Sequence, residues 1–102
     1  MNPADRNDRV GAVIEATPET LEAAFAHAET AAAPWQATSP ADRAAALCRA
    51  ADLLQARMPT LPGLIVREAG KTFPAAIAEI REAIDFLRYY AAKIRCHFDN
   101  AT

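Results

Sequence analysis

Residues 68–98 read EAGKTFPAAIAEIREAIDFLRYYAAKIRCHF, and this stretch decides the fold. Gly70 is a helix stop, and Thr72-Phe73-Pro74 is a fresh start signal, because threonine caps well and proline suits a first helical turn. Ile77, Ile80, Ile84, Leu87, Ala91, Ile94 and Phe98 then recur at alternating steps of three and four. That spacing lays one apolar seam along a helix. Ala83, Phe86 and Tyr90 widen the seam on one flank. A helix with so much apolar circumference needs a large partner surface.

The partners are predicted on the amino-terminal side. Residues 60–69 form a shorter helix carrying Leu61, Leu64 and Ile65. Before it, Ser39-Pro40-Ala41-Asp42 is another start signal. It opens a helix whose stripe is Ala44, Leu47, Cys48, Ala51, Leu54 and Met58, ended by Pro59. Thr17-Pro18-Glu19 opens the first helix, with Leu21, Ala24, Phe25, Ala28 and Ala32 as its stripe. Pro34 is the expected stop, which places Trp35 in the connection. Residues 10–16, VGAVIEA, are the only strand-like run, and one short strand cannot make a sheet alone. Residues 1–9 are a polar turn or extended lead-in. The expected fold is mainly α, about four helices behind a short extended arm.

Composition removes several function classes. A chain of 102 residues makes at most one small domain. Its net charge is −2, with no basic stripe interleaved with aromatics, so nucleic acid is not an expected partner. No run approaches eighteen apolar residues, and the opening MNPADRNDR is too polar for a signal peptide. Two cysteines without metal spacing point to a reducing cytoplasm.

No complete catalytic set is visible. Cys48 lies within an apolar stripe, where a thiol behaves as a small hydrophobe. Cys96 has Arg95 and His97 beside it, but neighbours along a helix point in different directions. His27 has no ligand at metal spacing on its face. Gly70-Lys71-Thr72 resembles the end of a phosphate loop, yet it lacks the earlier glycine and follows a helix. It reads instead as a helix stop with Lys71 near the last carbonyls. Glu79 and Glu82 are the carboxylates of interest, three apart beside the Ala83, Phe86 and Tyr90 face, unless both simply meet water or a cation. Asp85, with Arg81 four before it and Arg88 three after, reads as a surface ion-pair ladder.

The chain resembles the aldehyde dehydrogenase superfamily along essentially its whole length. The landmarks are Asn2-Pro3-Ala4-Asp5 leading to Val10-Gly11-Ala12-Val13, then Trp35, Arg43 and Leu53-Leu54. The clearest are Glu68-Ala69-Gly70-Lys71, Glu79-Ile80 and the run from Ile84 to Ala91. EAGKT followed by AEIREAIDFLRYYA is most similar to the pyrroline-5-carboxylate dehydrogenase part of bifunctional proline utilisation flavoenzymes, the PutA branch.

That resemblance implies a parent enzyme that oxidises glutamate semialdehyde to glutamate with NAD, after a separate FAD domain has oxidised proline. It implies that residues 1–102 are one piece of a domain, the helical layer beside the nucleotide-binding sheet, without the sheet itself. The oxyanion asparagine, general-base glutamate and nucleophilic cysteine are expected beyond Thr102, since neither Cys48 nor Cys96 matches the nucleophile's motif. No catalytic, cofactor-binding or metal-binding residue is therefore assigned. Glu82 matches a glutamate that points toward the aldehyde pocket in this branch. The expected partner is the rest of the parent domain, or a second copy along the seam from Ile77 to Phe98. The alternative from another class is an independent helical interaction module.

Overall fold

In the computed structural model, which describes residues 1–98, four helices follow one another: α1 (Pro18–Ala37), α2 (Pro40–Ala56), α3 (Leu61–Ala69) and α4 (Phe73–Phe98). Each start signal has its local cause. Thr17 Oγ1 accepts from the Thr20 amide, and Ser39 Oγ accepts from the Asp42 amide at 3.0 Å. Thr72 does the same for Ala75. These caps satisfy donors that a first helical turn otherwise leaves open. Asp99 and Asn100, which follow the last helix in the sequence, lie outside the described residues.

The core forms where α2 and α3 pack on α4. Ala44 and Ala51 from α2 and Ala76, Ile80, Ile84 and Ala91 from α4 are buried. Leu54, Met58, Leu61, Ile65 and Leu87 close around Ala51, Ile80 and Ile84. The seam is thus real, and α2 is its principal partner. The flank that widened it is not covered: Ala83, Phe86 and Tyr90 are exposed, as is Phe98 at the seam's end.

The strand-like run at residues 10–16 pairs with nothing, as expected of one short run: residues 11–16 are exposed, with Ile14 almost fully in water, and no neighbouring strand offers a ladder. Two expectations need correction. Pro34 does not stop α1, which continues one turn to Ala37, so Trp35 lies within the helix. That turn survives because the Pro34 carbonyl accepts both the Thr38 amide and the Thr38 hydroxyl. Finally, the α1 stripe is not buried: no α1 residue is, and α1 packs on no other helix.

The arm is folded back rather than merely extended. Asn2 Oδ1 accepts from the Ala4 amide and Asp5 Oδ1 from the Asn7 amide, which builds two side-chain-closed turns. Asp8 then takes a two-pronged hydrogen bond from Arg67 of α3, with Nε at 2.9 Å from Oδ2 and Nη2 on Oδ1. Asn2 Nδ2 donates to the same carboxylate at 3.0 Å. Beside this clamp, Gly70 ends α3 in the left-handed region at φ 65°, with its N–H on the Val66 carbonyl. A Cβ at that position would sit 2.8 Å from Pro3 Cγ. Gly70 is therefore required twice, for its backbone and for the approach of the arm.

Gly70→Ala should cost about 1–3 kcal/mol from the left-handed conformation and the displaced arm, seen as a lower urea midpoint. Gly63→Ala is the control: it lies inside α3 with open space around it, and should stabilise by about 0.5–1 kcal/mol. The clamp also predicts a pH dependence. The Arg67 guanidinium, and secondarily the Asn2 amide, hold the Asp8 carboxyl down from its usual 3.8 to about 2. A depressed carboxylate contributes stability above its unfolded value and loses it as pH falls through its folded value. The stability gap between the native chain and Asp8→Asn should therefore be constant above about pH 5 and narrow as the pH falls toward 2.

Candidate functional site

The outer side of α4, turned away from α2, carries the residue that the resemblance singles out. Glu82 is exposed and borders a shallow, open depression of about 550 Å³ with Ala78, Arg81, Asp85, Phe86 and Tyr89. All come from one helix, so their spacing is set by the helical repeat and not by loop conformation. Next to it the Phe86 and Tyr90 rings stack with centroids 6.1 Å apart, and Tyr89 meets Tyr90 edge-on at 5.3 Å. Lys93 Nζ lies over the Tyr89 ring at 5.5 Å. The depression is mostly apolar with charge on its rim, which suits an occupant with a small polar end.

The two carboxylates of interest part company here. Glu79 is held by Lys71 at 2.7 Å, an exposed pair joining the α3–α4 connection to the first turns of α4. Lys71 is thus not placed on the last carbonyls of α3. Glu82 has no ion-pair partner among the described residues. The Asp85 ladder does not form either. Arg88 reaches across to Asp52 of α2 at 3.3 Å, because the seam brings those two helices side by side. Asp85 faces the depression instead.

The remaining candidates have structural surroundings. Cys48 is half-buried in α2, and Cys96 is exposed near the end of α4. His27 is exposed on α1 near Trp35. Among the described residues no group of three His, Cys, Asp or Glu side chains comes together as a metal site. Gly70, Lys71 and Thr72 serve as helix stop, ion-pair partner and helix cap. Pro3 packs on the Cα of Gly70. No described helix is long and apolar enough to cross a membrane.

Two features escaped the sequence. The Asp8–Arg67 pair spans 59 positions, so no local spacing announces it. Arg43, half-buried early in α2, keeps its Nε buried without a hydrogen-bond partner among the described residues. A buried, unpartnered N–H costs roughly 1–3 kcal/mol, so such an atom asks for a partner.

The arm-to-α3 contact joins two separate phrases of the resemblance, Asn2-Pro3 and Glu68-Ala69-Gly70-Lys71. Comparison with known proteins agrees with it. The sequence model of the aldehyde dehydrogenase family matches residues 1–102. The chain belongs to the aldehyde dehydrogenase family. It is 55% identical over 102 residues to the bifunctional protein PutA of Escherichia coli, covering all of this chain and 8% of that protein. Identity is 53% over the same length to PutA of Rhizobium meliloti. It is 44% over 94 residues to 1-pyrroline-5-carboxylate dehydrogenase 2 of Bacillus subtilis, covering 92% of this chain and 18% of that enzyme. This aldehyde dehydrogenase chain thus spans less than a tenth of the PutA proteins and under a fifth of the shorter enzyme.

With a half-buried and an exposed thiol, labelling should be sequential. A neutral maleimide should modify Cys96 first, and Cys48 only as the helices open. Mass spectrometry after partial labelling would reveal equal rates if α2 did not shelter Cys48.

Proposed function

We propose that this chain is part of one domain in an NAD-dependent dehydrogenase that oxidises L-glutamate γ-semialdehyde to glutamate in proline catabolism. The observation that carries the reading is the match over every residue to PutA proteins and pyrroline-5-carboxylate dehydrogenases. The structure supports it in three ways. The inner face of α4 holds a core, its outer aromatic face is bare, and Arg43 Nε lacks a partner. Each fits a helical layer that the rest of a larger domain covers. An independent interaction module is the poorer reading, because it gives no reason for the family match to run from the first residue to the last.

In this reading the chain is scaffold. Residues 1–98 contain no strand with a glycine turn opening onto a helix, the usual dinucleotide cradle, so NAD does not fit them. The same holds for FAD, which the resemblance assigns to a separate domain. Cys48 is half-buried in α2 and Cys96 is exposed near the end of α4, and no catalytic step is assigned to either. Glu82 is the residue placed next to the aldehyde, bordering its pocket from the outer side of α4. Such an enzyme would work in the cytoplasm.

The test uses the complete enzyme. Glu82→Ala should lower kcat/KM for the semialdehyde about tenfold while leaving NAD binding within about twofold. Glu79→Ala is the control, because Lys71 already engages that carboxylate on the surface. Equal kinetic losses at both positions would remove the special role of Glu82.

A further inference from the structure

Among the described residues α1 is the helix with nothing packed against it. α2 fills the inner seam of α4, but no residue of α1 is buried and no other helix meets it. Leu21, Phe25 and Trp35 nevertheless fall on one face, with Ala24, Ala28 and Ala32 between them. Those three large side chains are 52%, 65% and 56% exposed. Helices in proteins draw most of their stability from packing an apolar face, and this one also carries Pro34 within it. A bare helix of 20 residues is thus an incomplete element.

The charge on this helix is one-sided. Between Arg9 and Arg43 the sequence has no lysine or arginine, while Glu15, Glu19, Glu22, Glu29 and Asp42 are all acidic. Glu19 serves the first turn of α1 and Asp42 the first turn of α2. Glu22 and Glu29 have no such local use, and neither is in an ion pair among the described residues. They lie three before and four after Phe25, so both flank that ring along one edge of the stripe. Whatever covers the stripe also strips water from these two carboxylates, and only a basic rim offsets that loss. The occupant is therefore apolar at its centre and basic along one edge. In the relatives more than four fifths of the polypeptide lies outside the stretch that this chain matches, ample to build such a groove. A groove in the same polypeptide also meets α1 at a far higher effective concentration than a second copy in dilute solution.

We propose that α1 is a docking helix, whose Leu21, Phe25 and Trp35 stripe seats in an apolar groove of the same polypeptide outside residues 1–102, with Glu22 and Glu29 paired to Lys or Arg side chains on the groove's rim. The mode is that of an amphipathic helix laid in a groove, with anchors one or more helical turns apart. In taking the chain as one part of a longer polypeptide, this assignment rests on the function proposed above.

The test uses the complete enzyme. Benzoylphenylalanine placed at position 25 should, on illumination, cross-link within one polypeptide to a peptide outside residues 1–102, as read by mass spectrometry. Glu22→Lys combined with Glu29→Lys should then raise the rate of chymotrypsin cleavage at Phe25 and Trp35 at least tenfold, because two attractive pairs become like-charge contacts. Ala23→Lys, on the opposite face of α1, is the control and should change that rate by less than about twofold. Should the double reversal not fold, Glu22→Gln with Glu29→Gln takes its place, with an expected rise of about threefold. A cross-link between two copies, one confined to residues 1–102, or none at all would overturn the proposal. So would charge variants no more sensitive to cleavage than Ala23→Lys. Semialdehyde oxidation by the same preparation separates the two readings: activity without the cross-link removes the docking helix alone, and the cross-link without activity removes the enzymatic function alone.

Discussion

The packed part of this chain, α2 to α4 with the arm, depends on how closely α2 can lie against α4. Four of the six buried core residues are alanines, Ala44 and Ala51 on one side and Ala76 and Ala91 on the other. Side chains that small let two helix backbones approach, and Ile80 and Ile84 then fill the space between them. α3 is held by the same surface, since Leu61 and Ile65 close on the cluster around Ala51, Ile80 and Ile84. The arm depends on α3 in turn, through Arg67 and Gly70. Remove the α2–α4 contact and each later attachment loses its base.

A core of this kind is thin. No large side chain is fully buried, and burial of a large apolar side chain is worth only about 1.5–3 kcal/mol. The clamp on the arm is exposed to solvent, where ion pairs contribute little unless their geometry is good. Here the geometry is good: Arg67 engages both oxygens of Asp8, and Asn2 takes up one of them as well. The clamp's role is positional, seating Pro3 on Gly70 and so fixing where the chain enters α3's end.

The helical architecture was legible because its signals are local. Caps at Thr17, Ser39 and Thr72, the stop at Gly70 and the three-four spacing of the seam all act within a few residues. The β-branched residues at 10–16 look like a strand, but a lone run has nothing to pair with and forms none. What failed needed a partner elsewhere. The α1 stripe reads as buried, yet no described element lies against it. Pro34 was misjudged for a different reason: the cost of proline falls on one hydrogen bond, and Thr38 closes the turn anyway. In the candidate site, the separation of Glu79 from Glu82 could not be read from their spacing. It turns on where Lys71 points, and that follows from how Gly70 redirects the chain.

α4 therefore has two sides with different work, and helix geometry keeps them apart. Ile80 and Ile84 flank Glu82 in sequence, two residues away on either side. At about 100° per residue, two steps carry a side chain more than halfway to the opposite face. The inner residues meet α2 and α3 and answer to packing, while Glu82, Asp85, Phe86 and Tyr89 face outward and carry no load in the core. Because one helix bears both sets, the register that buries Ile80 and Ile84 also fixes where Glu82 points. A shift of even one residue in the α2–α4 contact would turn the carboxylate by about 100° and take it out of any site it borders. The alanine-lined contact is thus what aims the outer face.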